Sequence, residues 1–223
     1  MSLVSDLPVL ALTFRIAAIA TIVMLPLALV LALASSRILG PNARTFIDAL
    51  CSLPLILPPT AVGFLLLELL SRDGWIGATG LDLLFTPTAA VIAAAVMSFP
   101  LMFRSFRAAI DSADFRYFQL ARTLGKRPLP AFFLVIIPLS WPGLVSGVIL
   151  AFCRAIGEFG ATILIAGSIP GRTQTLALAI YERTQSGREE EAFSLLLYAV
   201  VLAFGAIATT ELLMNRHRRR MTR

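Results

Sequence analysis

Charge is scarce in this sequence. Asp, Glu, Lys and Arg make up only 14% of its 223 residues, against 58% hydrophobic ones, whereas a soluble domain usually carries about a quarter charged residues. That balance excludes an ordinary soluble core and points to a polytopic membrane protein. Cysteine is nearly missing too. Cys51 and Cys153 both fall inside apolar stretches with no metal-ligand or redox spacing around them, so they read as reduced packing residues. The single histidine, His217, stands in a basic tail and forms no ligand cluster, which leaves no metal site and no catalytic constellation. A GxxxxGK[ST] phosphate loop is also absent, and with it the cradle that would let the chain hydrolyse ATP itself. No Lys or Arg precedes the first apolar run, which is too long for a signal-peptide core. It is expected to be a retained membrane helix.

What is present is a set of long apolar runs. A membrane helix needs about 20 mostly apolar residues, and five stretches qualify or come close: 11–34, 46–70, 87–103, 131–152 and 192–210. Together they predict one all-α transmembrane domain over 1–223. Between the fourth and fifth lies FGATILIAG, starting at Phe159 and too short to span alone. It reads as a re-entrant or wedge segment, or as the upper end of the fourth helix after a break at Gly157 or Gly160.

The net charge of +6 does not imply nucleic acid, because the arginines cluster beside apolar runs in the manner of topology signals. Thirteen of the nineteen Lys and Arg residues fall in three connections, 35–45, 104–130 and the tail from 211, against four in 1–10, 71–86 and 158–190. The positive-inside rule places the insert 104–130 and the carboxyl tail in the cytoplasm and the amino terminus outside. An even number of spans would break that agreement, so five is favoured.

Local features suggest where function resides. Pro54, Pro58 and Pro59 near the start of the second span predict a kinked or partly unwound helix, either a packing kink or a pathway-lining segment. In the fourth span, Gly143 and Gly147 form a GxxxG pair that would admit a close helix neighbour. Arg154 and Glu158, four residues apart, would share a helix face and neutralise one another. They read as an ion pair orienting the helix end or, if the helix breaks at Gly157, as an arginine free to face an anion. Thr60, Ser146 and Thr162 are candidate path-lining hydroxyls. Arg15 is expected to snorkel at the outer interface. Arg183, Arg188 and the run Glu189 to Glu191 are expected in a solvated outer loop or a binding-protein contact.

The insert carries the strongest local signals. Ser112 or Asp114 can cap a helix over 115–124 and Gly125 can end it in the left-handed region. Tyr117, Leu120, Ala121 and Leu124 fall on one face, and Phe115 and Phe118 on a neighbouring one. A helix this short is marginal alone and should be wedged between surfaces, one of them its own membrane domain. The other is a partner protein or anionic lipid; the small Ala121 and Gly125 and the basic Arg122, Lys126 and Arg127 suit either.

The segment QLARTLGKRPLPAFFLVIIP, from Gln119 to Pro138, resembles the cytoplasmic signature of binding-protein-dependent ABC transporter permeases. That signature is a Glu-Ala-Ala triplet, a following Gly, then nine residues and an Ile-x-Leu-Pro ending. Gln119, Leu120 and Ala121 stand in the triplet, Gly125 in the glycine position and Pro138 at the end, with Gln119 and Leu120 departing from the usual acid and small residue. Further stretches, SLPLILPPTAVGFLLLELLSRDGWIG and RAIGEFGATILIAGSIPGRTQTLALAIY, are similar to the molybdate branch of these permeases, with the sulfate branch close behind. The resemblance implies a type I importer permease fold with a cytoplasmic coupling helix, in the cytoplasmic membrane of a prokaryote. It implies a homodimer bound to two ATP-binding cassette subunits, which use ATP and Mg, and an extracytoplasmic oxyanion-binding protein. Gln119, Leu120, Ala121, Arg122, Gly125 and Pro138 would then couple to the ATPase. No cofactor is expected on the chain itself. The competing readings are an ATPase-independent secondary transporter or channel, for which neither related halves nor deep ionisable residues are evident, and, less well supported, a membrane enzyme.

Overall fold

The computed structural model describes the backbone of residues 3–221 and the side chains of 6–205, 207–209 and 211–212. His217 and the arginines from Arg216 onward lie outside the described side chains. Every regular element among the described residues is helical: α1 (Leu3–Arg37), α2 (Pro41–Ile56), α3 (Pro59–Leu70), α4 (Pro87–Ser112), α5 (Phe115–Thr123), α6 (Pro128–Ala131), α7 (Ile137–Ile156), α8 (Gly160–Ile165), α9 (Leu176–Gln185) and α10 (Glu189–Met221). A 3₁₀ turn at Gly77–Thr79 lies between α3 and α4, and a π turn, Phe132–Ile136, joins α6 to α7. Among the described residues four helical stretches are long and apolar enough to cross a membrane, five if the bent pair α2 and α3 counts as one span.

The core is built on α4, which packs between α1 and α7. Small side chains permit it. Ala89, Ala90, Ala93 and Ala94 of α4 and Ala17, Ala20, Ala28 and Ala32 of α1 are buried, so the helices meet with little side chain between them. Farther along α4 the same face turns large, with Met102, Phe103, Phe106 and Ile110 buried. The glycine pair of α7 meets this helix. A Cβ on Gly143 would fall 2.5 Å from the Ala109 Cβ, and one on Gly147 2.8 Å from the Ser105 Cβ. The Ser140 hydroxyl donates to the Ala109 carbonyl at 3.1 Å, pinning α7 to α4 one turn earlier.

The proline-rich start of the second span breaks the chain by 108°. Leu57 (φ −70°, ψ 145°) precedes Pro58, and Pro58 (φ −53°, ψ 136°) precedes Pro59; both are extended, because a following proline disfavours helical backbone. Pro54 stays inside α2. The break therefore belongs to the double proline alone.

Several helices outrun the apolar stretches that announce them. The helix expected over 87–103 continues to Ser112, so the insert's first residues are helical. Arg104 is exposed and Arg107 half-buried, while Phe106, Ala109 and Ile110 keep the buried face going; charge appears on one side without ending the helix. α1 begins at Leu3 rather than 11 and α10 at Glu189 rather than 192. The fourth helical stretch runs from Pro128 to Ile156, longer at both ends than 131–152. It stops at Gly157, and the segment after it forms α8 as a separate turn-and-a-half.

Candidate functional site

α5 is capped by Asp114, whose carboxylate accepts from the Arg116 N–H at 2.9 Å. Ser112, the other candidate cap, donates to the Ala109 carbonyl instead. At the far end Gly125 has φ +82° and the Lys126 N–H returns to the Ala121 carbonyl at 3.1 Å, the closure that a left-handed residue permits. Arg122 reinforces it by donating to the Lys126 carbonyl at 2.9 Å. Phe115 and Phe118 stack with centroids 4.8 Å apart and pack, half-buried, on the cluster of Phe103, Phe106, Ile110, Phe132 and Ile136. The other face stays open: Tyr117, Leu120 and Leu124 are 56%, 58% and 76% exposed. Gln119, Arg122 and Gly125 are exposed beside them and Ala121 is half-buried. An apolar row is thus left open next to a basic helix end, a surface suited to a partner protein or to anionic lipid.

Pro138 stands in the first turn of α7, directly after the π turn. The Ile137 N–H there reaches back to the Phe132 carbonyl. Proline supplies no N–H and crowds the carbonyl four residues back; the widened turn accommodates both, giving the signature's last residue a backbone role.

Two clusters at this end of the bundle escaped the sequence reading. Arg37, the last residue of α1, donates through Nη2 to the carbonyls of Ile110 (2.7 Å) and Ala113 (3.3 Å), and its guanidinium lies 4.7 Å from the Phe115 ring centroid. Nearby, Arg44 pairs with Asp111 at 2.7 Å and Arg107 with Asp48 and, at 3.6 Å, with Asp111. Ser35 donates to Asp48 at 2.7 Å, so α1, α2 and α4 are tied together at one end. Arg107 and Asp111, four apart, were the one legible hint; Arg37 looked only like a topology charge.

The opposite half holds the remaining candidates. The Glu158 carboxylate, 2% exposed, accepts from the Ala161 N–H at 2.8 Å through one oxygen and lies 2.8 Å from Arg154 Nη1 through the other. The second contact has the distance of an ion pair without hydrogen-bond alignment, since that oxygen has no hydrogen-bond partner. α8 packs against α3 on two glycines: a Cβ on Gly63 would fall 2.8 Å from the Ala161 Cα, and one on Gly160 2.6 Å from the Pro59 Cβ. Thr60 is thereby placed, exposed, at the start of α3 beside α8, whereas Thr162 is buried within α8. Ser146 is half-buried on α7, about 12 Å along the helix from Arg154. Arg183 is no solvated loop residue. It is 14% exposed and pairs with the buried Asp6 at 2.7 Å, with Glu191 3.7 Å away, joining α9 to α1 and α10.

Comparison with known proteins follows the same lines. The family described as binding-protein-dependent transport system inner membrane component matches residues 24–223. The chain belongs to this family. Among relatives of this permease, the molybdenum transport system permease protein ModB of Escherichia coli K12 is 38% identical over 218 residues, 95% of either chain. The ModB protein of Mycobacterium bovis is 40% identical over 88% of this chain and 78% of its own. Among solved structures, the permease fold is shared with the inward-facing MetNI methionine ABC transporter (TM-score 0.69, 17% identity, 94% of this chain and 92% of that one). It is shared too with a bacterial alginate ABC transporter in complex with its pentasaccharide-bound periplasmic protein (TM-score 0.75, 16% identity, 97% and 79%).

Proposed function

We propose that this permease is the membrane-spanning subunit of an ATP-driven importer that moves molybdate, and tungstate by the same tetrahedral dianion chemistry, into the cytoplasm. The observation that carries this reading is the 38% identity over 95% of the chain to a molybdenum transport permease. In this reading two copies of the chain enclose the path, two ATP-binding cassette subunits dock on α5 from the cytoplasm, and an oxyanion-binding protein delivers cargo from outside. The exposed Tyr117, Leu120 and Leu124 row, with Gln119, Ala121, Arg122 and Gly125 around it, is the surface offered to the ATPase. Pro138 with its π turn transmits displacement of α5 into α7.

The path runs past the broken segments. Thr60 at the start of α3 offers a hydroxyl and a backbone N–H at the positive end of the helix, whereas the Ala61 and Val62 N–H groups already donate to the Pro58 carbonyl. Such neutral donors hold a dianion without trapping it. Ser146 lies along the same route. Arg154 and Glu158, paired and tied to α8, set the position of that turn, as does Thr162 within it.

Uptake is the test. In cells lacking their own molybdate importer, this chain expressed with its ATPase and binding protein should accumulate labelled molybdate, competed by tungstate at similar concentrations and by sulfate only at large excess. Accumulation of sulfate with indifference to molybdate would move the chain to the sulfate branch. An ATPase that never copurifies with the chain would favour a secondary transporter.

A further inference from the structure

Two aromatic rings of α5 face its own bundle, and a cation lies over one of them. The rings are Phe115 and Phe118, set into the core at the end of α4. The cation belongs to a distant part of the chain: Arg37 ends α1, yet its guanidinium bonds the last carbonyls of α4 and lies over the first ring of α5. Its Nε–H is buried and has no hydrogen-bond partner, so the two carbonyls and the ring face hold it.

Each contact has a physical reason. The Ile110 and Ala113 carbonyls close α4, where a helix concentrates negative partial charge. The flat guanidinium stacks on the ring while its edge donates, a combination that lysine's point charge does not reproduce. Only Ala113 and Asp114 separate α4 from α5, so a tilt of α5 swings Phe115 about this short joint and against the guanidinium. Covalent links carry the motion of α5 into α4 and, through α6, into α7. α1 has no covalent link to α5; it packs on α4 and is tied to it through Ser35, Asp48 and Arg107, and Arg37 adds a contact from α1 to α5 itself.

We infer that Arg37 is a positioning residue through which displacement of α5 by the ATPase reaches α1, with Phe115 as its counterpart. The inference rests on the assignment of α5 to an ATP-hydrolysing partner. It assigns Arg37 neither to substrate nor to the docking surface, which lies on the opposite face of α5.

The test measures ATP hydrolysed per labelled molybdate taken up, in proteoliposomes holding the complete complex and its binding protein. Arg37→Gln and Phe115→Leu should each raise that ratio by about three- to tenfold while the ATPase copurifies as with the unaltered chain. Arg37→Lys should fall between, and the double variant should be no worse than the worse single one. An unchanged ratio in Arg37→Gln, single effects that multiply in the double variant, or loss of the ATPase from Arg37→Gln would each overturn the inference. If Arg37→Gln does not accumulate, Phe115→Leu decides alone, an unchanged ratio again overturning it. Failure of the ATPase to copurify with the unaltered chain would instead overturn the proposed function, and this inference with it.

Discussion

Glu158 performs two tasks with one carboxylate. One oxygen closes the first turn of α8 on the Ala161 N–H, and the other faces the guanidinium of Arg154. Glu158→Ala removes both and leaves Arg154, 27% exposed, without its counter-charge. A loss of about 2–4 kcal/mol is expected, combining a lost cap with a broken, partly buried pair. Glu158→Gln keeps an acceptor for Ala161 and should lose about half as much. Thermal unfolding of the detergent-solubilised variants checks the order; equal losses would show that the cap contributes nothing. The four-residue spacing made this pair readable from sequence. Its tie to α8 was not, because it depends on the chain turning back after Gly157. Asp6 and Arg183 were further out of reach: they are 177 residues apart, and no local pattern announces a partner at that distance.

At the scale of elements, helix type and order were legible because hydropathy and proline placement act locally. Helix ends were not, because α4 continues past its first arginine by keeping Phe106, Ala109 and Ile110 on a buried face. α5 was foreseen within one residue, but which of its faces meets the bundle was decided by the phenylalanine pair, whose large rings fill the space beside Phe132 and Ile136. Gly125 ends α5 with no atom within 4 Å of a would-be Cβ. Gly125→Trp should therefore cost only the left-handed backbone penalty, about 1–2 kcal/mol, leave the bundle folded and block a partner from seating on α5. Copurification of the ATPase at the unaltered level would remove α5 as the docking element. The Gly143 and Gly147 pair gives the opposite expectation. Gly147→Val would drive a branched side chain into Ser105 and Phe106, so the whole bundle should lose about 1–3 kcal/mol, read as a lower unfolding temperature. A neutral result would mean that α7 moves away from α4 without cost.

For the whole molecule, the sharpest question is what the bent pair α2 and α3 does in the bilayer. Crossing and doubling back are both compatible with a 108° break, and they place residues 71–86 on opposite sides. Charge counting favours crossing, since 35–45 and 104–130 are basic while 71–86 holds one arginine. The structure adds that α3 and α8 pack on mutual glycines, each short helix covering backbone that the other leaves open, which is how broken segments persist within a membrane. Cysteine labelling separates the two cases. With Cys51 and Cys153 replaced by alanine, a lone cysteine at exposed Ala78 should react with a membrane-impermeant maleimide in intact cells. One at exposed Lys126 or Asn42 should react only after the membrane is opened. Protection of Ala78→Cys alongside Asn42→Cys would make α2 and α3 a re-entrant loop. The chain would then cross four times, and α1 and α10 would need their outer ends on opposite sides of the membrane. The buried Asp6 to Arg183 to Glu191 chain joins those two ends and argues against that arrangement, so labelling of Ala78→Cys in intact cells is the expected outcome.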